Sequence, residues 1–276
     1  MQKIKEEKRA IGQFNFSSFE QLKGIAKAAK ELNTPLICGT SPGEANYFGL
    51  EETVSLVRTI EKKENISLYL NYDHGKNVDV LKKVINLGYD MIHFDGSSLP
   101  FEENITITKE VVKYAKHHGV VVEGEISKIK GGSSVSNEKM EESPLTSLDK
   151  IVKFIKETKV DCIALDIGNV HGIHASMPQL YPNRINQLLD LINCFVVLHG
   201  GSGIKNNDIK DIIKRGVIKI NVNTESRVAW REALYSKMKE DESETTPYKI
   251  LPSATEAVYQ ITKEKINLFN YAQNNF

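Results

Sequence analysis

Eight short runs rich in β-branched and apolar residues recur along this chain, each followed by a longer stretch of different periodicity. They are Ala10 to Phe16, Pro35 to Gly39, Ile66 to Tyr72, Asp90 to Asp95, Val120 to Ile126, Cys162 to Gly168, Phe195 to Gly200 and Val217 to Asn223. Between them, stretches such as 19–32, 78–88 and 107–119 place apolar residues at i, i+3, i+4 and i+7, so each helix has one stripe to bury. Gly88, Gly119 and Gly216 stand where helix gives way to strand, the position of a left-handed C-terminal cap. Alternation of this kind requires parallel pairing, and eight units can close into a (β/α)8 barrel, the α/β fold of a TIM barrel. An open, doubly wound sheet is the alternative.

Alternation inside the strands separates the two. Strands of a doubly wound sheet are covered on both faces and read as continuous apolar runs. Here polar residues occupy every second position: Gln13 and Asn15, Asn71 and Asp73, His93 and Asp95, Glu123 and Glu125, then Lys219, Asn221 and Asn223. Residues two apart share one face of a strand. A face so charged cannot pack against helices without a large desolvation cost, whereas a barrel lumen opening into an active site can hold it. Lys219 is expected to compensate one of the carboxylates. Two segments depart from the repeat: 131–147 has the Gly/Ser composition of a mobile loop after the fifth strand, and 172–182 follows the sixth. Both are expected on the C-terminal face, where such loops build active sites.

Composition removes several functional classes. Lys and Arg total 36 against 36 Asp and Glu, and this zero net charge argues against a general nucleic-acid binder. No apolar run approaches the ~20 residues needed to span a bilayer, and no secretory signal is read at the start. Three widely spaced cysteines, Cys38, Cys162 and Cys194, fit a reduced, cytoplasmic protein. No interdomain linker is evident, so residues 1–276 are read as one domain.

His74, His171 and His199 fall at or just past strand C-termini, each followed by glycine, so that the chain can turn close to a ligand. A loop histidine by itself is ordinarily a surface residue. Three in this shared position describe a catalytic Zn²⁺ site with an open fourth place. Asp73, beside His74, is placed either as general base or as a carboxylate orienting an imidazole. The turn His199 to Gly203 and the segment Asn221 to Thr224 each precede a helix, on the two strands whose loops hold phosphate in such barrels.

Together these strings resemble the class II, zinc-dependent aldolases of fructose and tagatose bisphosphates, most specifically in GQFNFSSFEQ, DHG, FDGSSLPFEENI, VEGEI, IGNVHG, LHGGSG and KINVNTE. The resemblance covers nearly the whole chain and implies a (β/α)8 barrel, a cytoplasmic homodimer or larger homo-oligomer, and a phosphosugar substrate. By it Asp73 is the catalytic base, His74, His171 and His199 hold zinc, and Glu125 is the acidic neighbour of the metal with Asp95 nearby. Gly172, Gly200, Gly201, Ser202, Asn221, Val222, Asn223 and Thr224 would bind the dihydroxyacetone-phosphate end, and Asn15 and Ser41 the rest of the sugar. A monovalent cation, Na⁺ or K⁺, often accompanies the phosphate site in relatives.

The chain departs from the family pattern in places. Ser133 and Ser134 replace acidic residues after a glycine pair, Asn267 stands where an arginine often reaches a second phosphate, and Asn71 replaces a histidine. With these departures, the resemblance points to the aldol chemistry more firmly than to the sugar. Two other readings are a Schiff-base aldolase using Lys219 and a non-catalytic phosphosugar-binding barrel.

Overall fold

A computed structural model describes residues 1–140 and 144–271, apart from the side chain of Glu138. In chain order the elements begin α1 (Gln2–Glu6), β1 (Ile11–Asn15), α2 (Phe19–Glu31), β2 (Leu36–Thr40), α3 (Pro42–Phe48), α4 (Leu50–Glu64), β3 (Leu68–Gly75), α5 (Val78–Leu87), β4 (Met91–Asp95), α6 (Phe101–His117) and β5 (Val121–Glu125). They continue with β6 (Val135–Lys139), α7 (Leu148–Thr158), β7 (Cys162–Ala164), β8 (Ile173–Ser176), α8 (Asn183–Leu189), β9 (Phe195–Leu198), α9 (Asn206–Lys214), β10 (Val217–Val222), α10 (Thr224–Glu240), α11 (Pro247–Ile250) and α12 (Pro252–Phe269).

The eight expected strands close into a parallel barrel in the order β1-β10-β9-β7-β5-β4-β3-β2. Gly88, Gly119 and Gly216 have φ of 101°, 71° and 111°, the left-handed values a C-terminal cap requires. The segment 131–147 is not simply a loop, because Val135–Lys139 pairs in parallel with Ile173–Ser176 as a small separate sheet. Residues 141–143 of that segment lie outside the described residues. The ribbon forms although VSNEK offers no apolar face, since its backbone finds a partner in the other long loop of the same barrel face.

The lumen changes character along its axis. At the N-terminal end Ile11, Ile37, Met91, Cys162 and Val197 form an apolar layer against which Ile4 of α1 packs. Above it the second-position polar groups close the lumen: Gln13, Asn71, His93, Glu123 and Lys219 are each fully buried. Outward-facing residues of the same strands, among them Phe14, Leu70, Ile92, Val122 and Ile220, pack with the helices into the main core. The amphipathic stripes are satisfied there; Leu22, Ile25 and Ala29 of α2 are fully buried, and each large aliphatic side chain so placed contributes roughly 1.5–3 kcal/mol. A floor that is dry below and polar above leaves the charged groups only one direction in which to act, toward the C-terminal mouth.

Candidate active site

Asp73 and His74 are neighbours in β3, where alternation would send them to opposite faces. His74 instead takes φ of 55°, and the β3–β4 register shifts between Tyr72 and Gly75. Such a local bulge re-aims a side chain, and a left-handed non-glycine residue costs about 1–2 kcal/mol that its surroundings must offset. The turn was expected at Gly75; it falls on His74 itself. Both side chains consequently reach the mouth.

Four imidazoles meet there. His74 Nε2 lies 3.2 Å from His199 Nδ1. On its other side His199 directs Nε2 at Glu123 Oε1, 2.6 Å away, so the proton sits on Nε2 and Nδ1 carries a lone pair. His74 Nδ1 faces Asp95 Oδ2 at 3.5 Å, which leaves its Nε2 lone pair directed at the same point. Two facing lone pairs repel. Burial opposes a charge on His74, but Asp73 and Asp95 raise its pKa, so a proton on His74 Nε2 relieves the contact, and a metal ion between the rings would do the same. A tetrahedral ion with metal–nitrogen bonds of about 2.05 Å sets nitrogens about 3.3 Å apart and ring centres about 5.2 Å apart. The His74–His199, His74–His171 and His171–His199 ring centroids are 4.8, 5.1 and 5.7 Å apart, close to that spacing. Burial and the neighbouring imidazoles push the His171 pKa down to about 3, and burial also lowers that of His199, which keeps both rings neutral as ligands must be. Carboxylates behind metal-bound imidazoles fix their orientation, and Glu123 and Asp95 stand in that relation to His199 and His74.

The tightest donor cluster differs from the expected set. Ligand atoms of His74, His93, Glu125 and His199 all lie within 4.8 Å of one another, and His171 is not in that group. His93 was ambiguous in sequence, and only the strand register brings it here. Its Nδ1 accepts the backbone N–H of His74 at 3.1 Å, and its Nε2 lies 3.2 Å from Glu125 Oε2. Both of those last two atoms are buried without a hydrogen-bond partner. Burial opposes a charge on His93, but the nearby carboxylates of Asp73, Glu125 and Glu123 outweigh it and draw the pKa up; the His74 amide pulls the other way by requiring a bare Nδ1.

Asp73 is 4% exposed and held from two sides, by Asn15 Nδ2 on Oδ2 at 3.0 Å and Asn221 Nδ2 on Oδ1 at 3.4 Å. Burial would raise its pKa, but His74, His93 and Lys219 outweigh burial and hold it well below the usual carboxylate range. It is therefore an ionised, oriented acceptor. Lys219, fully buried, places Nζ 2.8 Å from Glu123 Oε2 and 2.7 Å from Asn221 Oδ1. This is the compensating ion pair expected from sequence. A nucleophilic lysine would need Nζ free and facing substrate.

The loop after β9 rests directly on the loop carrying His171. Gly200 has φ of 63°, and a Cβ there would stand 2.0 Å from the Val170 carbonyl oxygen. Two amides expected to be free are engaged: Gly201 N–H donates to the Asn221 carbonyl at 2.9 Å, and Gly203 N–H to Glu225 Oε1 at 2.8 Å. Ser202 Oγ accepts from Glu225 N–H at 3.3 Å and keeps its own proton to donate. Gly172, with φ of 92°, and Asn221 to Thr224 border the same region, Val222 turning outward into the core. Ser41 is the N-cap of α3, paired with Glu44 in a capping box.

Asn15, Ser41, Asp73 and His74 open onto a cavity of about 790 Å³ that runs from the lumen to α10. Its lining also includes Arg227 and Arg231, one turn apart on that helix, with Trp230 between them. Arg227 Nη1 donates to the Ser133 carbonyl at 3.0 Å; among the described residues neither arginine forms an ion pair. Asn267 is exposed on α12 and does not line this cavity. The arginines were not singled out in sequence; their i, i+4 spacing just after KINVNTE was the available signal.

The chain is similar to known proteins over nearly its whole length. The family described as fructose-bisphosphate aldolase class-II matches residues 1–274. A 6-phospho-5-dehydro-2-deoxy-D-gluconate aldolase of Shouchella clausii is 34% identical, over 97% of this chain and 92% of its own. A sulfofructosephosphate aldolase of Alkalicoccus urumqiensis is 33% identical over 94% and 90%, and a fructose-bisphosphate aldolase of Geobacillus stearothermophilus 35% over 91% and 88%. Among solved structures, the YdjI aldolase of Escherichia coli K12 superposes with a TM-score of 0.81 at 28% identity, covering 97% of this chain and 94% of that one. With an eight-stranded parallel barrel, a histidine–carboxylate cluster at its mouth and these likenesses, the chain belongs to the class II fructose-bisphosphate aldolase family and is an aldehyde-lyase.

Proposed function

We propose that the enzyme reversibly cleaves a phosphorylated ketose with an anionic group at each end, fructose 1,6-bisphosphate or tagatose 1,6-bisphosphate, to dihydroxyacetone phosphate and an aldehyde, glyceraldehyde 3-phosphate. The observation that carries the reading is Asp73, ionised and fixed between Asn15 and Asn221 beside the converging lone pairs of His74 and His199. In the cleavage direction Asp73 accepts the C4 hydroxyl proton as the C3–C4 bond breaks. Asn15 and Asn221 hold its two oxygens so that no reorientation precedes the transfer, which lowers the entropic part of the barrier. Zinc bound by His74, His171 and His199 supplies Lewis-acid stabilisation of the negative charge that develops on the substrate oxygens. Glu125 and Asp95 keep the imidazole side of the site negative and favour cation binding. Ser202, Gly172 and the start of α10 take the phosphate of the retained half, and a monovalent cation, Na⁺ or K⁺, belongs beside them.

A second anionic group is supported by the cavity. Arg227 and Arg231 line it together with Asp73, without carboxylate partners among the described residues. The names of the three relatives each contain a phosphate and a further acid: a gluconate, a sulfo group or a second phosphate. No helix among the described residues is long and apolar enough to cross a membrane. A cytoplasmic setting and a homodimeric or larger assembly accompany the reading through the resemblance, and sedimentation of the purified protein tests the latter. The functional test is a coupled cleavage assay over ketose mono- and bisphosphates of both C4 configurations, with and without chelator. Bisphosphates are expected to exceed the matching monophosphates at least tenfold in kcat/KM, with all turnover lost in chelator. Equal or better cleavage of monophosphates would contradict the two-anion substrate.

A further inference from the structure

One buried imidazole is unaccounted for by this chemistry. His93, fully buried on β4, does not line the open cavity and is not one of the three rings assigned to zinc. It bridges the backbone of β3 to the floor of the site. Its Nδ1 takes the His74 N–H at 3.1 Å, at the one residue of the cluster whose backbone is left-handed, φ 55°. The ring packs edge-on to His74 and His199, with centroids 4.6 and 4.8 Å away. Its other nitrogen looks toward Glu125 Oε2 at 3.2 Å, and Nδ1 also lies 3.6 Å from Asp73 Oδ1.

A left-handed conformation at a histidine persists only when its surroundings over-determine it. At His74 this conformation is what brings Asp73 and His74 to the same side, because a regular strand would separate them. The N–H that points inward there would be buried and unsatisfied without an acceptor, and among the described residues His93 Nδ1 accepts it. We infer that His93 is a positioning residue: by accepting the His74 N–H it locks the β3 bulge that sets the base Asp73 and the ligand His74 side by side. This rests on the aldolase reading for the roles of Asp73 and His74, but the lock itself is a property of the backbone.

The two nitrogens of an imidazole can be separated by substitution. Asparagine places a carbonyl oxygen near the position of Nδ1, whereas glutamine reaches the position of Nε2. His93→Asn keeps an acceptor for the His74 amide; His93→Gln and His93→Met do not. Zinc affinity is read directly, by competition with a chromophoric chelator, and cleavage kinetics separately. His93→Gln and His93→Met are expected to lose about 10–100-fold in zinc affinity, the range for groups that orient ligands, and to fall in kcat more than they rise in KM. His93→Asn is expected to stay within about threefold of the parent in affinity by the same reasoning. If His93→Gln fails to fold, the comparison of Asn with Met carries the test. Equal affinities for Asn and Met variants, at any level, would overturn the lock, and a loss in all three as deep as that of His199→Ala would make His93 a ligand instead. Failure of the aldolase reading looks different: parent protein that binds zinc with the same Asn-over-Met order but cleaves no ketose phosphate.

Discussion

Glu123→Gln isolates the deepest electrostatic element of the barrel. Glu123 and Lys219 are both fully buried, with Nζ 2.8 Å from Oε2, and the other carboxylate oxygen accepts from His199 at 2.6 Å. At an effective dielectric of about 20, opposite charges at that separation attract by about 6 kcal/mol, most of it balanced by desolvation of the two groups. Removing one partner leaves the other charge buried alone, and the cost is about 3–5 kcal/mol. At about 2.1 cal/mol/K of unfolding entropy per residue, a chain of 276 residues loses roughly 5–9 °C of Tm for that change. The assay is thermal unfolding in excess chelator, so that metal linkage does not enter. Glu123→Gln/Lys219→Met removes both charges and is expected to melt above the Glu123→Gln single variant, since replacing a buried ion pair by neutral groups is often nearly neutral. A single variant within about 2 °C of the parent, or a double variant whose loss is the sum of both singles, would refute a compensating pair and return Lys219 to the list of reactive groups.

Other consequences are more local. Asp73→Asn keeps the shape between Asn15 and Asn221 but cannot accept a proton, so kcat is expected to fall about 10²–10⁴-fold with zinc affinity within a few-fold of the parent; a kcat within tenfold would remove Asp73 as the base. Burial pushes the thiols of Cys38 and Cys194 up to about 12, which leaves a thiolate fraction of about 10⁻⁴ for those two at pH 8, and burial also raises the Cys162 thiol. Ellman's reagent at that pH is expected to label all 3 cysteines in guanidinium and almost none in the native enzyme, and fast stoichiometric labelling of the native form would contradict their burial. Gly200→Ala, whose Cβ would meet the Val170 carbonyl at 2.0 Å, is expected to displace the His171 loop and weaken zinc binding at least tenfold by loss of ligand orientation; unchanged affinity would show that the two loops move independently.

The barrel was legible because its determinants are periodic. Polar groups at every second strand position and glycines at helix ends are local signals, and the lumen layers of Gln13, Asn71, Glu123 and Lys219 follow from them. The β6–β8 ribbon was not, since VSNEK has no apolar alternation and gains its pairing only from the loop opposite. His74 and His199 could be placed at one mouth from their strand ends. The role of His93 could not, because it depends on the β3–β4 register and on a bulge at His74 where glycine at the next position was the obvious turn. The arginines of α10 were obscured for a related reason. Of that helix's 17 residues only Thr224 and Ser226 are buried, so it carries no apolar stripe to say which face meets the cavity.

Imidazoles from separate strands sharing one ion next to Asp73 are central to the proposed chemistry, and a zinc titration of metal-stripped enzyme tests this directly. Turnover should be absent before zinc is added, rise linearly, and reach its plateau at one equivalent per chain, with His199→Ala failing to reach it. Stripped protein that cleaves its ketose phosphate at full rate would contradict the assignment of these histidines.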